Sequence, residues 1–229
     1  MSFYFDPGTA EAAKAHDMNV YEFYGLGRGG VLGDVDAAQV NDAFWFFKPS
    51  LVEMLWTAAG AKGAPPVVAA SYLEAAYAYA DRTFGSAPED VARAYADAAR
   101  VAIDAVPAGR FALFDGYRKY PVPANAHHAA YLATICLREL RGGVHIETTR
   151  AVGVAPEAAC FFTSPAIFKL HGYSDDDKPA DHSDLAEKMA AAEAATDAAM
   201  ATFLDVLSDD QRAAIAAGVM AFNQLLPQG

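Results

Sequence analysis

The stretch Asn125–Gly153, NAHHAAYLATICLRELRGGVHIETTRAVG, decides how this chain is read. Asn125 is a helix-capping residue type, and the run after it predicts one long helix. Alternating steps of four and three hold a single face of a helix, and they collect His127, Tyr131, Thr134, Arg138, Arg141, His145 and Thr148 into one stripe. Leu132, Ile135, Cys136, Leu137, Leu140, Val144 and Ile146 flank that stripe with apolar side chains. An ordinary surface helix mixes Lys and Glu on its outer face. A stripe of arginine, histidine and hydroxyl groups set between apolar flanks instead faces a cavity or another part of the protein.

Outward from this helix the same pattern continues. Alanine-rich segments with helical spacing dominate, and strand-like alternation of β-branched residues is nearly absent, so the fold class is all-α. Pro7 and Gly8 precede a single long helix ending in the glycines around Arg28, and Asp34 or Asp36 caps a second through VNDAFWFF. Pro49 opens a third, and Pro66 a fourth, whose Tyr72, Tyr77 and Tyr79 are too closely spaced for one face. Ser86-Ala-Pro-Glu89 has the order of a cap, a first-turn proline and an acid, and predicts a helix ending near Pro107. FALFDGYRKYPVPAN is the least helical segment and the natural boundary between halves, 1–115 and 116–229. Short helices follow from Pro156 and Pro165, Ser183 or Asp184 caps a helix from Leu185 towards Leu207, and Ser208 opens a last helix that Pro227 closes.

The tetrapeptide RGGV occurs twice, as Arg28–Val31 and Arg141–Val144. Each copy is followed by a turn, a short helix ending in paired phenylalanines (Phe46-Phe47, Phe161-Phe162), a proline and another apolar helix. The agreement in order and type predicts an internally duplicated helical domain with two helix-turn-helix-like units and approximate two-fold symmetry, its RGGV copies marking equivalent helix ends.

Phe23-Tyr24-Gly25-Leu26-Gly27-Arg28, then Leu32-Gly33-Asp34-Val35, Val40, Ala43-Phe44, Phe47 and Pro49, followed by Arg138-Glu139-Leu140-Arg141-Gly142-Gly143-Val144-His145, resembles a largely uncharacterised actinobacterial family of helix-turn-helix proteins. The resemblance runs from about residue 20 to about residue 173; Gly30-Val31 departs from the Ala-Pro type of pair expected there. It implies a duplicated, mostly helical fold. The family label describes a shape and by itself assigns neither DNA binding nor an activity.

Composition narrows the function classes. The 17 basic residues face 29 acidic ones, a net charge of −12. Phosphate backbones are neutralised by clustered Lys and Arg, so nucleic acid is a poor partner. The two cysteines lie in apolar surroundings and read as buried hydrophobes in a reducing compartment. No secretory signal and no membrane-length apolar run is recognisable, so the expected location is cytoplasmic.

The site residues follow from the stripe. Arg138 and Arg141, one turn apart, present forked donors to a carboxylate or phosphate, with His127 and Thr134 beside them and His145 titrating near neutrality. On the first-half helix Arg28 stands with Tyr21 and Tyr24, and a symmetric fold brings them toward the same cavity. The expected partner is a small anionic or aromatic molecule between the halves, with a homodimer left open. His145 and Tyr131 or Tyr24 are the proton-transfer candidates if the protein is an enzyme. Phe44, Trp45, Phe46, Phe161 and Phe162 are candidate walls. The competing reading has the arginines pairing with Glu139, Glu147 or Glu22 to tie the halves together. A regulator whose helix-turn-helix units read DNA, or a protein-interaction module, are the other classes. No metal is expected: no H-x3-H or H-E-x-x-H occurs, and two isolated cysteines make no zinc site. The cofactor is left open. Haem needs one axial ligand, and His16, His145 and His171 each lie in helices rich in aromatics or aliphatics.

Overall fold

A computed structural model describes residues 3–226, and among these twelve α-helices and three short 3-10 turns account for the regular structure, with no strand. The all-α class follows directly from the alanine-rich composition, since alanine loses no side-chain entropy in a helix.

The central element is α8 (Ala126–Ala151), about 39 Å long at the helical rise per residue. The Asn125 side chain caps it by accepting a hydrogen bond from the His128 amide at 3.0 Å. α6 (Glu89–Ala105) lies against it, and the contact explains both alanine patterns. Ala92, Ala96, Ala99 and Ile103 repeat at helical spacing on α6, facing Ala126, Ala129, Ala130 and Ala133 on α8, all buried. Small side chains let the two backbones approach closely. α12 (Asp209–Asn223) covers the other side of α6, and α11 (Leu185–Leu204) and α7 (Ala112–Tyr117) pack on α8.

A second core forms where α5 (Pro65–Phe84) meets α1 (Pro7–Lys14), α2 (Val20–Gly29) and α8. Phe3, Phe23, Leu26, Tyr72 and Tyr79 fill it. Tyr72, Tyr77 and Tyr79 are all buried because α5 is enclosed on several sides at once. α4 (Pro49–Gly60) packs on α2 and on α3 (Ala37–Ala43), and α9 (Pro156–Thr163) and α10 (Pro165–Leu170) form a small hairpin. The position between 115 and 116 falls inside α7, and α6 packs against both α8 and α12, so elements from both sequence halves share one core.

Several expectations are corrected. The long N-terminal helix is two: Asp17 sits at φ 56, and Asn19 then opens α2 with a capping box to Glu22. Aspartate and asparagine tolerate that left-handed position and compete for the backbone, which is why the helix breaks there. Ser86 makes no cap bond; α6 starts at Glu89, with Pro88 as the residue before it. The segment after Phe111 is partly helical, as α7. The cap choices resolve to Asp36, whose side chain bonds the Gln39 amide, and to Asp184, which caps α11 by position without a side-chain bond. Pro227 lies outside the described residues.

The two RGGV copies are not equivalent helix ends. The first closes α2 and passes into a 3-10 turn, while Gly142 and Gly143 lie in the uninterrupted interior of α8. What the copies share is a close approach at the second glycine. A Cβ on Gly30 would stand 2.2 Å from the Pro65 carbonyl oxygen, and one on Gly143 2.5 Å from the Phe111 ring.

Candidate functional site

Arg28 reaches from α2 to α8 and donates through Nε and Nη2 to the two carboxylate oxygens of Glu139, at 3.0 and 2.8 Å. Its Nη1 donates to the Tyr24 hydroxyl one turn back, at 3.0 Å. Arg138 donates to the same carboxylate at 2.5 Å. Glu139 is only 3% exposed and the Arg28 side chain 12%. Burial alone would raise the Glu139 pKa, but the adjacent Arg28 and Arg138 charges and their hydrogen bonds hold it below its ordinary value. Two guanidinium groups around one carboxylate leave the triad with a net charge of about +1, with Arg28 and Glu139 buried and the Arg138 side chain 46% exposed.

A cavity of about 800 Å³ opens on one side of this triad. Arg28, Arg110, Arg138, Arg141 and Arg150 line it, against only three acids, Asp42, Glu139 and Glu147. In a chain of net charge −12 the lining itself is richer in arginine than in acid, while Glu193 and Asp197 of α11 pair with Arg141 from outside it. Phe44, Phe46, Phe47 and Phe111 supply its apolar walls, and the Arg28 guanidinium lies 4.4 Å from the centre of the Phe44 ring. Arg110 is paired with Glu147, and Arg150 stands over Trp45.

The stripe on α8 is divided by its surroundings. Thr134, Arg138, Arg141 and His145 line the cavity, with Gly142 between the last two. Arg141 is 43% exposed at its side chain and pairs with Glu193 and Asp197 of α11. Tyr131 faces a separate small chamber and not His145, and burial raises its hydroxyl pKa. His127 bonds the Ala87 carbonyl at 3.0 Å, away from either space, and Thr148 bonds Thr196 at 2.8 Å. Tyr21 is 52% exposed and takes no part, whereas Tyr24 lines the cavity. Of the pairings weighed as structural, Arg138–Glu139 forms; Glu22 pairs with Lys62, and Glu147 with Arg110. Among the aromatic candidates Phe44 and Phe46 reach the cavity walls, which Phe47 and Phe111 complete; Trp45, Phe161 and Phe162 are not among them.

Two histidines border the cavity, and the neighbours of each favour one tautomer. Thr196 donates its hydroxyl proton to the Ala192 carbonyl at 2.8 Å, so its oxygen accepts from His145 Nδ1 at 3.0 Å. That assignment leaves His145 Nε2 as an unprotonated acceptor. Burial, opposed by Glu193 and helped by Arg141, lowers the His145 pKa. His171 is built the same way. The Cys160 thiol donates to the Phe46 carbonyl, and its sulfur lies 3.4 Å from His171 Nδ1. Burial, aided by the Arg28 charge, pushes the His171 pKa down to about 4, and burial lifts the Cys160 thiol to about 12, so the two form no thiolate–imidazolium pair. His16 stacks on Phe23, away from the cavity.

The His171 environment has a measurable consequence. Its folded pKa lies below its unfolded one, so between pH 6.5 and about 4 the unfolded chain binds the extra proton and stability falls as pH falls. The unfolding free energy from urea denaturation should drop across that window at a rate of up to about 1.4 kcal/mol per pH unit, and His171→Asn should flatten the drop. An unchanged slope in the variant would place the effect elsewhere.

No group of three His, Cys, Asp or Glu side chains that could hold a metal ion occurs among the described residues. No helix among them is long and apolar enough to cross a membrane. The chain matches the model of a helix-turn-helix family over residues 1–228, and it belongs to that family. No curated protein and no solved structure matches it.

Proposed function

We propose that the cavity around Arg28, Glu139 and Arg138 binds a small anionic molecule with an aromatic body, and that His145 Nε2 accepts a hydrogen bond or a proton from it. The carrying observation is the sign of the cavity, five arginines against three acids inside a strongly acidic protein. Phenylalanine walls suit a flat apolar body, and partly desolvated guanidinium groups suit a carboxylate. If chemistry occurs, it is proton transfer at His145, with the Arg28-bound Tyr24 the second candidate. A haem would find its axial ligand in His145 or His171, and the absorbance spectrum of the purified protein reads that directly.

Naphthoate is a suitable probe. Arg141→Ala and His145→Ala should each weaken its binding roughly tenfold, the scale of one hydrogen bond to a charged group, while leaving the folded far-ultraviolet spectrum intact. Unfolding of both variants would favour a structural network, and wild-type affinity in both would overturn the site.

The family description favours a second reading, a regulator that reads DNA or senses a ligand. A gel-shift series against salt decides it, and net −12 argues for no binding at moderate salt. Internal duplication belongs with these proposals, and its support is the parallel order of α2, α3, α4 and α8, α9, α10, with Pro49 and Pro165 opening the third member of each set. The buried, unpaired Cys136 and Cys160 support a cytoplasmic setting.

A further inference from the structure

Next to the triad lies a second, smaller and partly open space of about 70 Å³, lined by Tyr4, Tyr72, Tyr117 and Tyr131 together with Phe3 and Ile135. Arg28, Thr134, Arg138 and Glu139 border both this chamber and the large cavity, so the triad is the partition between them. The Tyr72 residue is 4% exposed, and its hydroxyl is fully buried with no hydrogen-bond partner among the described residues. That hydroxyl lies within electrostatic reach of Tyr4, Tyr117, Tyr24 and Arg28.

The donor count is lopsided. Glu139 accepts from Arg28 twice and from Arg138 once, which satisfies one carboxylate and leaves further N–H groups on both guanidiniums. Tyrosine hydroxyls add donors. A buried donor without an acceptor is costly, and so is a buried charge without a counter-charge. The Tyr72 hydroxyl is such a donor, and Arg28, 12% exposed, shares its one carboxylate with Arg138, which is 46% exposed; a negatively charged acceptor small enough for the chamber would partner the hydroxyl and add counter-charge beside Arg28. The space exceeds what one water needs and suits a group of a few heavy atoms. A monoanion also matches the triad's single excess charge, which a dianion overshoots.

We infer that the tyrosine chamber behind the Arg28–Glu139–Arg138 partition is a binding site for a carboxylate-sized monoanion, with Tyr72 as its buried donor. The anion is either a free ion or the carboxylate head of the molecule held in the large cavity. The chamber rests on its own residues, Tyr4, Tyr72 and Tyr117, which do not line the large cavity.

Formate is the probe, titrated at constant ionic strength with sulfate as the balancing dianion, and read by the tyrosine ultraviolet difference spectrum and the urea midpoint. Wild-type protein should show a saturable spectral change with a matching rise in midpoint, as binding to the folded state alone requires. Tyr72→Phe removes an unpartnered hydroxyl, so without formate it should be at least as stable as wild type, and it should bind formate at least about tenfold more weakly. Competition between formate and naphthoate would assign the anion to the head group of the larger ligand; independent binding would assign it to a free ion. No saturable response in wild type, or equal formate affinity in Tyr72→Phe, overturns the chamber as an anion site. Failure of naphthoate to bind, with formate still bound through Tyr72, would remove the larger ligand and leave the chamber standing.

Discussion

Glu139→Ala is expected to destabilise the protein by about 3–5 kcal/mol, because it leaves the buried Arg28 guanidinium, 12% exposed, without its counter-charge, whereas Arg138, 46% exposed, is solvated by water. Arg28 loses both bonds of its fork, which are the hydrogen-bonded link between α2 and α8. Glu139→Gln keeps the shape and removes the charge, so it separates electrostatics from the space left behind and should recover only part of the loss. The pH dependence has a definite sign. The folded pKa of Glu139 is depressed, so its contribution is fully present above the unfolded value near 4.5 and is lost as pH falls through the lower folded one. Urea midpoints of wild type and Glu139→Gln should therefore differ most above pH 4.5 and converge below it. A difference under about 1 kcal/mol at neutral pH, the range of an exposed pair, would mean that water screens the triad.

Gly30→Ala should cost about 3 kcal/mol, near the upper end for overpacking, since its Cβ would meet the Pro65 carbonyl oxygen at 2.2 Å and the backbone at the start of α5 cannot rotate aside. Gly143→Ala should cost less, about 1–2 kcal/mol, because the obstructing atom at 2.5 Å belongs to the Phe111 side chain. Gly142→Ala is the control with the opposite sign. Nothing stands within 4 Å of its Cβ, and alanine in a helix interior stabilises by roughly 0.5–1 kcal/mol relative to glycine. Thermal or urea denaturation of the three variants tests the order. Equal effects at Gly142 and Gly143 would contradict the close approach of Phe111 to α8.

These positions show how far the sequence could be read. The helical stripe on α8 and the glycine pairs were visible as patterns, because periodicity along one helix is a local property. Which stripe member meets which space was not, since that depends on what packs alongside. Tyr131 and His145 share a face of α8, yet α2 and α5 close a chamber over one end of it, and α11 covers the other. Glu139 is adjacent in sequence to Arg138, and its pairing with Arg28 bridges a separation of 111 residues that no local pattern encodes. Arg110, Arg150 and His171 entered the cavity for the same reason. The break at Asp17 was legible in principle, because Asn19 and Glu22 have the spacing of a capping box. The Tyr72 hydroxyl could not be found at all without the structure, because tyrosine in an alanine-rich helix reads simply as core.

The central claim is that the cavity selects negative charge, and the sharpest measurement is a paired calorimetric titration with naphthoate and its neutral isostere naphthamide. The two share shape and apolar body and differ in the carboxylate. The arginine-lined cavity predicts saturable one-to-one binding of naphthoate, at least about tenfold tighter than naphthamide, with the gap narrowing as ionic strength rises. Equal affinities for the two compounds, or no saturable binding of either, would contradict it.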